Sequence, residues 1–325
     1  MDCDDRSVCT ARAWRGRLAN PGTYGPRRHG SIREAGLPRR GLLANALMDM
    51  YGRCGSLQDA WKVFEEVTGS SQGQDIVPWN VMIGALSRNG HSSEAFRLFK
   101  AMNLEGVKPE AITVVSVLDF CSIPDGKMVH ASILGTGLEK QIRVQNALIT
   151  MYSKGGCLQR ARDVFNTINN PNVVSWSAVI AAYAECARSS EALKVFQDMT
   201  LQGELPDYIT FIAIISACAH AGLLKTGIEF FVVMRQDHGI EPSADHFMCI
   251  ADLLGRVGKL ELAEDVLSFM PFEPTPVAWT SLLGCCKTSN DLERAQRISQ
   301  KIFGVKEGAS SGPYVLLSNV TKAVT

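Results

Sequence analysis

The residues of this 325-residue sequence that could ligate a metal or act in catalysis are scattered rather than clustered. Ten cysteines are present, but none forms a Cys-x-x-Cys pair, so a structural zinc site has little support. No phosphate-binding Gly-x-x-x-x-Gly-Lys loop occurs either. We therefore expect no catalytic residue, no metal ligand and no cofactor. We expect the cysteines to be buried, reduced thiols of an intracellular protein.

Amide side chains, in contrast, recur in matching positions. Asn45-Ala46-Leu47-Met48 returns 101 residues later as Asn146-Ala147-Leu148-Ile149, and Asn80 lies in a similar frame. An amide both donates and accepts hydrogen bonds, so it can match the polar edge of a pyrimidine. An isolated Asn near a helix start is more often a cap or an Asx turn. Three asparagines at the same position of different repeats, however, favour the binding of a ligand over capping.

These amides lie within a longer repeated pattern of a small residue followed by apolar residues three, four and seven positions later. That spacing is one face of an α-helix, and the small residue lets a neighbouring helix approach closely. Turn residues such as Asn89-Gly90 separate this helix from a preceding apolar stretch. The eight small residues are Ala60, Ala95, Gly126, Ala161, Ala192, Gly227, Ala263 and Ala295.

The pattern predicts an all-α superhelical solenoid of stacked helix-turn-helix repeats. Residues 1–26 match nothing and are expected to be an unstructured leader, while 27–40 is expected to be the remnant of a truncated repeat. A further motif covers 276–309, and the start of another follows at 310–325. Seven repeats are predicted over 41–275, namely 41–75, 76–110, 111–141, 142–172, 173–207, 208–243 and 244–275.

The charge is balanced, with 33 basic and 33 acidic residues. Nine Arg against four acids give residues 1–40 a charge of about +5, which leaves about −5 for 41–325. The arginines of the leader resemble those of a transit peptide, although its aspartates do not. No uninterrupted apolar run reaches 18 residues, so no membrane contact is expected.

The repeats resemble the pentatricopeptide repeat family of plant organelles. The motifs that carry the resemblance are Val-Val-Ser-Trp-Ser-Ala-Val-Ile at 173–180 and Ile-Ser-Ala-Cys-Ala-His-Ala-Gly at 215–222, together with 45–57. The mixed repeat lengths are similar to the plant subclass that combines standard, long and short units. Segment 276–325 resembles the E-type C-terminal extension of that subclass and is incomplete at its C-terminus.

The resemblance implies a sequence-specific protein that binds single-stranded RNA in a mitochondrion or chloroplast and takes part in RNA processing. In this subclass the usual role is cytidine-to-uridine editing. A zinc deaminase needs His-x-Glu and Pro-Cys-x-x-Cys motifs, which are absent here. The chain is thus expected to be no enzyme, but a site-recognition adaptor. A deaminase or accessory editing factor would join in trans through 276–325.

In this family the fifth and last residues of each repeat read one base. By that rule Asn45 with Asp75 favours uracil. The pair Asn80 and Glu110 favours a pyrimidine, because Glu replaces the usual Asp. The remaining two pairs are Asn146 with Asn172, for cytosine or uracil, and Ser177 with Asp207, for guanine.

The second residue of each repeat packs on the face of the base in this family. Leu42, Val77 and Val174 suit that role, and the guanidinium plane of Arg143 can also stack on a base. Asp245 departs from the pattern. The alternative for the apolar second positions is that they are plain core residues.

Two other functions remain open. One is a protein-interaction scaffold like the tetratricopeptide repeats, although uniform 34-residue units are typical of those. The other is a truncated family member without function, which the shortened unit 111–141 and the incomplete ends suggest.

Overall fold

The structure is a computed structural model that describes residues 41–70 and 75–304. The predicted leader 1–26, the repeat remnant 27–40 and the end of the extension segment, 305–325, lie outside these residues. The described residues form 16 α-helices and a short 3-10 helix, Leu138–Lys140, and contain no strand. The chain divides into two compact units between Glu139 and Lys140.

Each unit is a stack of helical hairpins in which odd-numbered helices come first and even-numbered helices second. In the first unit, the helices are α1 (Leu42–Arg53), α2 (Leu57–Ser70), α3 (Ile76–Arg88), α4 (Ser92–Leu104), α5 (Ala111–Leu118) and α6 (Ile123–Ile133). In the second they are α7 (Ile142–Lys154), α8 (Leu158–Asn166), α9 (Val173–Glu185), α10 (Ser189–Leu201), α11 (Tyr208–Ala221), α12 (Leu224–Gln236), α13 (Ala244–Arg256), α14 (Leu260–Phe269), α15 (Pro276–Thr288) and α16 (Leu292–Gly304).

The core of each stack is built from the repeated small and apolar residues of the second helices. The six alanines that lead the pattern are at most 1% exposed, and Gly126 and Gly227 are buried as well. Each second helix packs on its own first helix, and within each unit the first helices of consecutive hairpins pack on one another. The all-α solenoid of stacked hairpins expected from the periodicity is thereby confirmed.

First helices approach one another closely because small residues lie at their contacts. A Cβ added to Gly52 of α1 would lie 2.5 Å from the Cβ of Ala85 in α3. A Cβ on Gly255 of α13 would lie 2.8 Å from the sulfur of Cys285 in α15. Such distances leave no room for a side chain, so these two glycines set the spacing of their hairpins.

In seven of the eight described hairpins, the turn between the two helices holds a residue in the left-handed conformation. Gly90 supplies it after α3 with φ 78°, which glycine adopts without a steric penalty. Ala187 takes the same place after α9 at φ 54°. The hairpin of α5 and α6 is irregular in a different way. Its first helix has eight residues instead of the 12 to 14 of the others, which matches the shortening of 111–141.

Candidate nucleic-acid interface

The second residue of each repeat, which is the first or second residue of its first helix, faces solvent. Leu42 is 90% exposed, Val77 44% and Val174 52%, and Arg143 is exposed as well. Among the hairpins for which no base was predicted, three hold exposed apolar side chains at this position, Ile112, Ile209 and Val277, and the fourth holds the exposed Asp245. These residues therefore contribute little to the core. Each hairpin instead presents one side chain of this kind near the start of its first helix.

The fifth-position asparagines lie inside the helices and do not cap them. The residues that cap α1, α3 and α7 are Gly41, Asp75 and Gln141. Asn45 and Asn146 are half-buried, and the Oδ1 atom of each is inaccessible to solvent without a hydrogen-bond partner. A buried acceptor without a donor costs about 1–3 kcal/mol, so the fold alone does not explain these two amides.

The last-position residues of the four predicted pairs all occupy the N-cap position of the first helix of the following hairpin. Asp75 accepts a hydrogen bond from the Val77 amide at 3.0 Å, and Asn172 accepts one from Ser175 at 3.0 Å. Asp75, Glu110 and Asn172 are exposed. A cap uses one side-chain oxygen, so the second carboxylate oxygen or the amide nitrogen stays available to a ligand. Capping and base recognition are compatible at these positions.

Asn80 and Glu110 are joined through Thr113, a buried residue at the third position of the next hairpin. The Thr113 hydroxyl donates to Asn80 Oδ1 at 2.6 Å and accepts the Glu110 backbone N–H at 3.1 Å. We call these three residues the Asn80 seam. The structure therefore brings the predicted fifth and last residues of this repeat together, although they are 30 positions apart in sequence.

Ser177 and Asp207 are joined in the same way by Thr210, and these three residues are called the Ser177 seam. The Thr210 hydroxyl donates to Asp207 Oδ1 at 2.7 Å, because a carboxylate only accepts, and its oxygen lies 2.7 Å from the Ser177 hydroxyl. Ser177 is 4% exposed, and its single proton is shared between the Thr210 oxygen and the Val173 carbonyl oxygen at 2.8 Å. Asp207, which is half-buried, is thus the more accessible member of this predicted pair.

A groove connects second- and fifth-position side chains of successive first helices in the second unit. It has a volume of about 280 Å³ and lies among α11, α13 and α15. Its lining includes the fifth-position residues Ile212 and Met248 and the second-position residues Asp245 and Val277. Sequence analysis gave no base for these hairpins. Even so, the groove places both positions on one surface, as recognition of a polymer by successive repeats requires.

The third-position residue of α13 is a histidine that serves the fold. Burial lowers the pKa of His246, and the hydrogen bond to the Tyr208 carbonyl opposes that shift only in part. The neutral ring accepts the Ser243 N–H at Nδ1 and donates from Nε2 to the Tyr208 carbonyl, at 3.1 and 3.0 Å. Both ring nitrogens are occupied, so His246 acts as part of a helix cap.

A charged cluster joins the last described hairpin to the one before it. Glu264 of α14 accepts hydrogen bonds from Arg294 at 2.6 Å, and from Arg297 and Lys301 at 3.1 Å each, all three on α16. Burial would raise the pKa of Glu264, but the hydrogen bonds from Lys301 and Arg297 outweigh it and lower that pKa. This cluster was not predicted from the sequence, although three cations on one face of the helix were a signal for it.

Within residues 41–70 and 75–304, no group of three or more His, Cys, Asp or Glu could hold a metal ion. All eight cysteines of that part are free thiols. Cys218, Cys285 and Cys286 are buried, whereas Cys54 is exposed, so the expectation of burial holds for only some of them. No helix in the described part is long and apolar enough to cross a membrane.

Comparison with known families identifies the repeats. A model described as PPR repeat family matches residues 74–122 and 171–220, and a model of the PPR repeat matches 43–70, 146–169 and 209–238. Together these segments cover more than half of the chain. The chain therefore belongs to the pentatricopeptide repeat family, as its motifs predicted.

Plant proteins with this repeat are similar along most of the chain. The Arabidopsis thaliana pentatricopeptide repeat-containing protein CRR2, chloroplastic, is 35% identical over 298 residues, which are 90% of this chain and 45% of that protein. A mitochondrial pentatricopeptide repeat-containing protein of the same plant is 36% identical over 297 residues, 90% of this chain and 46% of the relative. This chain thus spans about half the length of these relatives.

Solved structures share the fold. The pentatricopeptide repeat protein PPR10, crystallised in complex with an 18-nt psaJ RNA element, gives a TM-score of 0.56 at 21% identity over 88% of this chain and 49% of that one. A tetratricopeptide repeat protein from Parabacteroides merdae gives 0.55 at 14% identity over 86% of this chain and 97% of that one. Helical hairpin solenoids of both kinds therefore resemble this chain.

Proposed function

We propose that this chain binds single-stranded RNA in a sequence-specific manner and acts in organellar RNA processing. The observation that carries the proposal is the Asn80 seam, where the hydroxyl of Thr113 binds both the fifth-position amide of Asn80 and the backbone N–H of the last-position residue Glu110. The related protein PPR10 was crystallised with RNA, and the names of similar Arabidopsis proteins refer to chloroplasts and mitochondria. We accordingly propose one of these organelles as the location.

The proposed contacts assign one base to each of four hairpins. The open oxygen of the Asp207 carboxylate can accept a hydrogen bond from the N–H donors of guanine, while Thr210, which contacts Ser177, holds the other oxygen. The asparagines offer amides to the polar edges of pyrimidines. The pairs and bases are Asn45 and Asp75 for uracil, Asn80 and Glu110 for a pyrimidine, Asn146 and Asn172 for cytosine or uracil, and Ser177 and Asp207 for guanine.

The exposed second-position residues are proposed to hold the faces of the bases. A nucleobase that packs on Val77 or Val174 removes apolar surface from water, which repays part of the cost of ordering a flexible strand. Leu42 does the same at the first hairpin, and Arg143 stacks through its guanidinium plane. Bases held in this way point their polar edges at the fifth and last residues.

The finer proposal is an adaptor for cytidine-to-uridine editing, with the deaminase supplied in trans. It depends on the resemblance of the repeat lengths to the editing subclass and of 276–325 to an E-type extension. Within that segment, α15 and α16 form a hairpin fixed to α14 by the Glu264 cluster, which would give a recruited deaminase or accessory factor a rigid surface.

RNA binding is tested with the purified full chain and a short RNA that contains the core U-Y-N-Y-G, where Y is a pyrimidine and N any base. We expect at least tenfold tighter binding than to a scrambled RNA of the same composition, since four matched bases each contribute discrimination. Equal affinity for both RNAs would contradict the base assignments. Capture of peptides with no RNA binding would favour the scaffold alternative.

The editing role needs a separate measurement. In a plant line that lacks the chain, sequencing of organellar transcripts should reveal a defined cytidine that is no longer converted, and a transgene should restore its conversion. A line in which every organellar cytidine is edited as in the wild type would contradict the adaptor role. RNA binding would not be contradicted by that result, because it is measured separately with the purified chain.

A further inference from the structure

We propose that the third-position threonine of a following hairpin is a specificity-determining residue, because it decides which polar atoms of the base-reading pair face the RNA. This inference rests on the proposed function. It concerns Thr113 and Thr210, which are 0% exposed and would not touch the RNA themselves. Each acts through its neighbours and is therefore a positioning residue.

At the Asn80 seam the single proton of the Thr113 hydroxyl is donated to Asn80 Oδ1 at 2.6 Å. The Asn80 carbonyl oxygen is thereby engaged inside the protein. Within the described part of the chain, the amide nitrogen of Asn80 donates no hydrogen bond, so its two N–H groups remain for a ligand. Asn80 thus presents donors only, which suit the carbonyl oxygens of a pyrimidine.

At the Ser177 seam the third-position residue is Thr210, and its proton goes to the last-position residue instead of the fifth-position one. Thr210 donates its proton to Asp207 Oδ1, and it lies 2.7 Å from the Ser177 hydroxyl. One carboxylate oxygen is fixed, while Oδ2 stays open to accept from a base. The pair therefore presents acceptors, which suit guanine, whose Watson–Crick edge carries N–H donors. Thr113 thus leaves donors at one pair, whereas Thr210 holds in place a carboxylate that only accepts.

The other two predicted pairs lack this connection. The third position after Asn45 is Pro78, which has no hydroxyl. After Asn146 it is Ser175, whose hydroxyl donates to the cap residue Asn172 at 3.0 Å and not to Asn146. Asn146 Oδ1 has no partner as a result. Ser175 is therefore a control for the loss of a buried capping hydroxyl. It does not contact the fifth residue, and its backbone N–H, 3.0 Å from Asn172 Oδ1, still holds that amide when the hydroxyl is removed.

The test is selection from a random RNA library by the full chain, with four proteins compared: wild type, Thr113→Val, Thr113→Ser and Ser175→Ala. Valine keeps the shape of threonine and removes the hydroxyl, so the Asn80 amide is free to rotate and offer either its oxygen or its nitrogen. We expect the preference for uracil over adenine at one nucleotide to fall about fivefold to tenfold, the worth of one oriented hydrogen bond.

Preferences at the other nucleotides should stay unchanged in Thr113→Val. Thr113→Ser should restore the wild-type preference, and Ser175→Ala should leave every preference intact even though it weakens a helix cap. An unchanged preference in Thr113→Val, or an equal loss at every nucleotide, would overturn the inference and leave RNA binding standing. A wild-type chain that selects no base at any nucleotide would instead overturn the proposed function, and this inference with it.

Discussion

The hydroxyl oxygens of Ser177 and Thr210 lie 2.7 Å apart in the buried contact between α9 and α11, although 33 positions separate them in sequence. Thr210 also caps its own helix with Asp207, through hydrogen bonds in both directions. One side chain therefore stabilises a helix start, attaches it to the preceding hairpin and joins the two residues proposed to read a base. Stability and recognition are coupled at this seam.

Replacement of Thr210 by valine should reveal the stability part of that coupling. The variant keeps the packing but removes hydrogen bonds from Asp207 and Ser177 in a buried place, so we expect a loss of about 1–3 kcal/mol in the free energy of unfolding. Urea denaturation of the full chain measures it. Thr200→Val, at an exposed site near the end of α10, should change stability by less than about 0.5 kcal/mol. Equal losses in both variants would contradict the role of Thr210.

Asp207→Asn separates recognition from stability. Asparagine caps helices about as well as aspartate, so the unfolding free energy should stay within about 0.5 kcal/mol of the wild type. The amide, however, replaces an acceptor oxygen by a donor, and the preference for guanine should fall by about tenfold. Affinities for RNAs that differ only at this base measure the effect. Asp237→Asn, at an exposed site after α12, is the control and should change neither quantity.

Features of the fold that depend on residues within one repeat could be predicted from sequence. The periodicity around residues such as Ala95 and Ala192 gave the helices and the hairpins, because helix faces are local patterns. The turn at Asn89-Gly90 was predictable for the same reason. The short α5 followed from the missing residues in 111–141. Each of these features depends on residues within one repeat.

The seams could not be predicted, because they join residues of different repeats. Thr113 reads as an ordinary cap residue in sequence, and its hydrogen bond to Asn80 exists only when two hairpins stack. The burial of Ser177 follows from the same stacking. The Glu264 cluster likewise depends on how α16 lies against α14. The positions of the candidate residues were predictable from sequence, but the orientation of their polar atoms is visible only in the structure.

The close approach of α1 and α3 predicts opposite effects for two glycines. Gly52→Ala places a methyl group 2.5 Å from the Cβ of Ala85, so the variant should lose about 1–3 kcal/mol of stability despite its better helix propensity. In Gly84→Ala the nearest atom is the flexible end of Arg88 at 3.4 Å. That variant should gain about 0.5–1 kcal/mol. Thermal unfolding followed by circular dichroism measures both, and a gain in Gly52→Ala would contradict the close contact.

The Glu264 cluster predicts a stability that depends on pH. Because the hydrogen bonds from Lys301 and Arg297 lower the pKa of Glu264 in the folded state, ionisation of this group stabilises the protein above the ordinary carboxyl pKa. That contribution is lost as the pH falls through the lowered value. Glu264→Gln should therefore lose stability at pH 7, and the difference from the wild type should shrink in acid.

The measurement is urea denaturation of both proteins between pH 7 and the acid limit of folding. Asp265→Asn is the control, since Asp265 is the exposed neighbour of Glu264 on the same helix. We expect its difference from the wild type to be small and independent of pH. A difference for Glu264→Gln that stays constant into acid would show that the charge of Glu264 has no effect.

The distribution of charge leads to a prediction about salt. The chain has equal numbers of acidic and basic residues, and the excess of Arg before residue 41 leaves the repeats with a net negative charge. Few counterions are then released when RNA binds, so the slope of log affinity against log salt should have a magnitude of no more than about 3. Affinity would come from stacking and base contacts, which depend weakly on salt. The ratio of affinities for matched and scrambled RNA should therefore stay nearly constant between low and high salt. A much steeper slope would mean that phosphate contacts dominate, and a ratio that collapses with salt would contradict recognition through the bases.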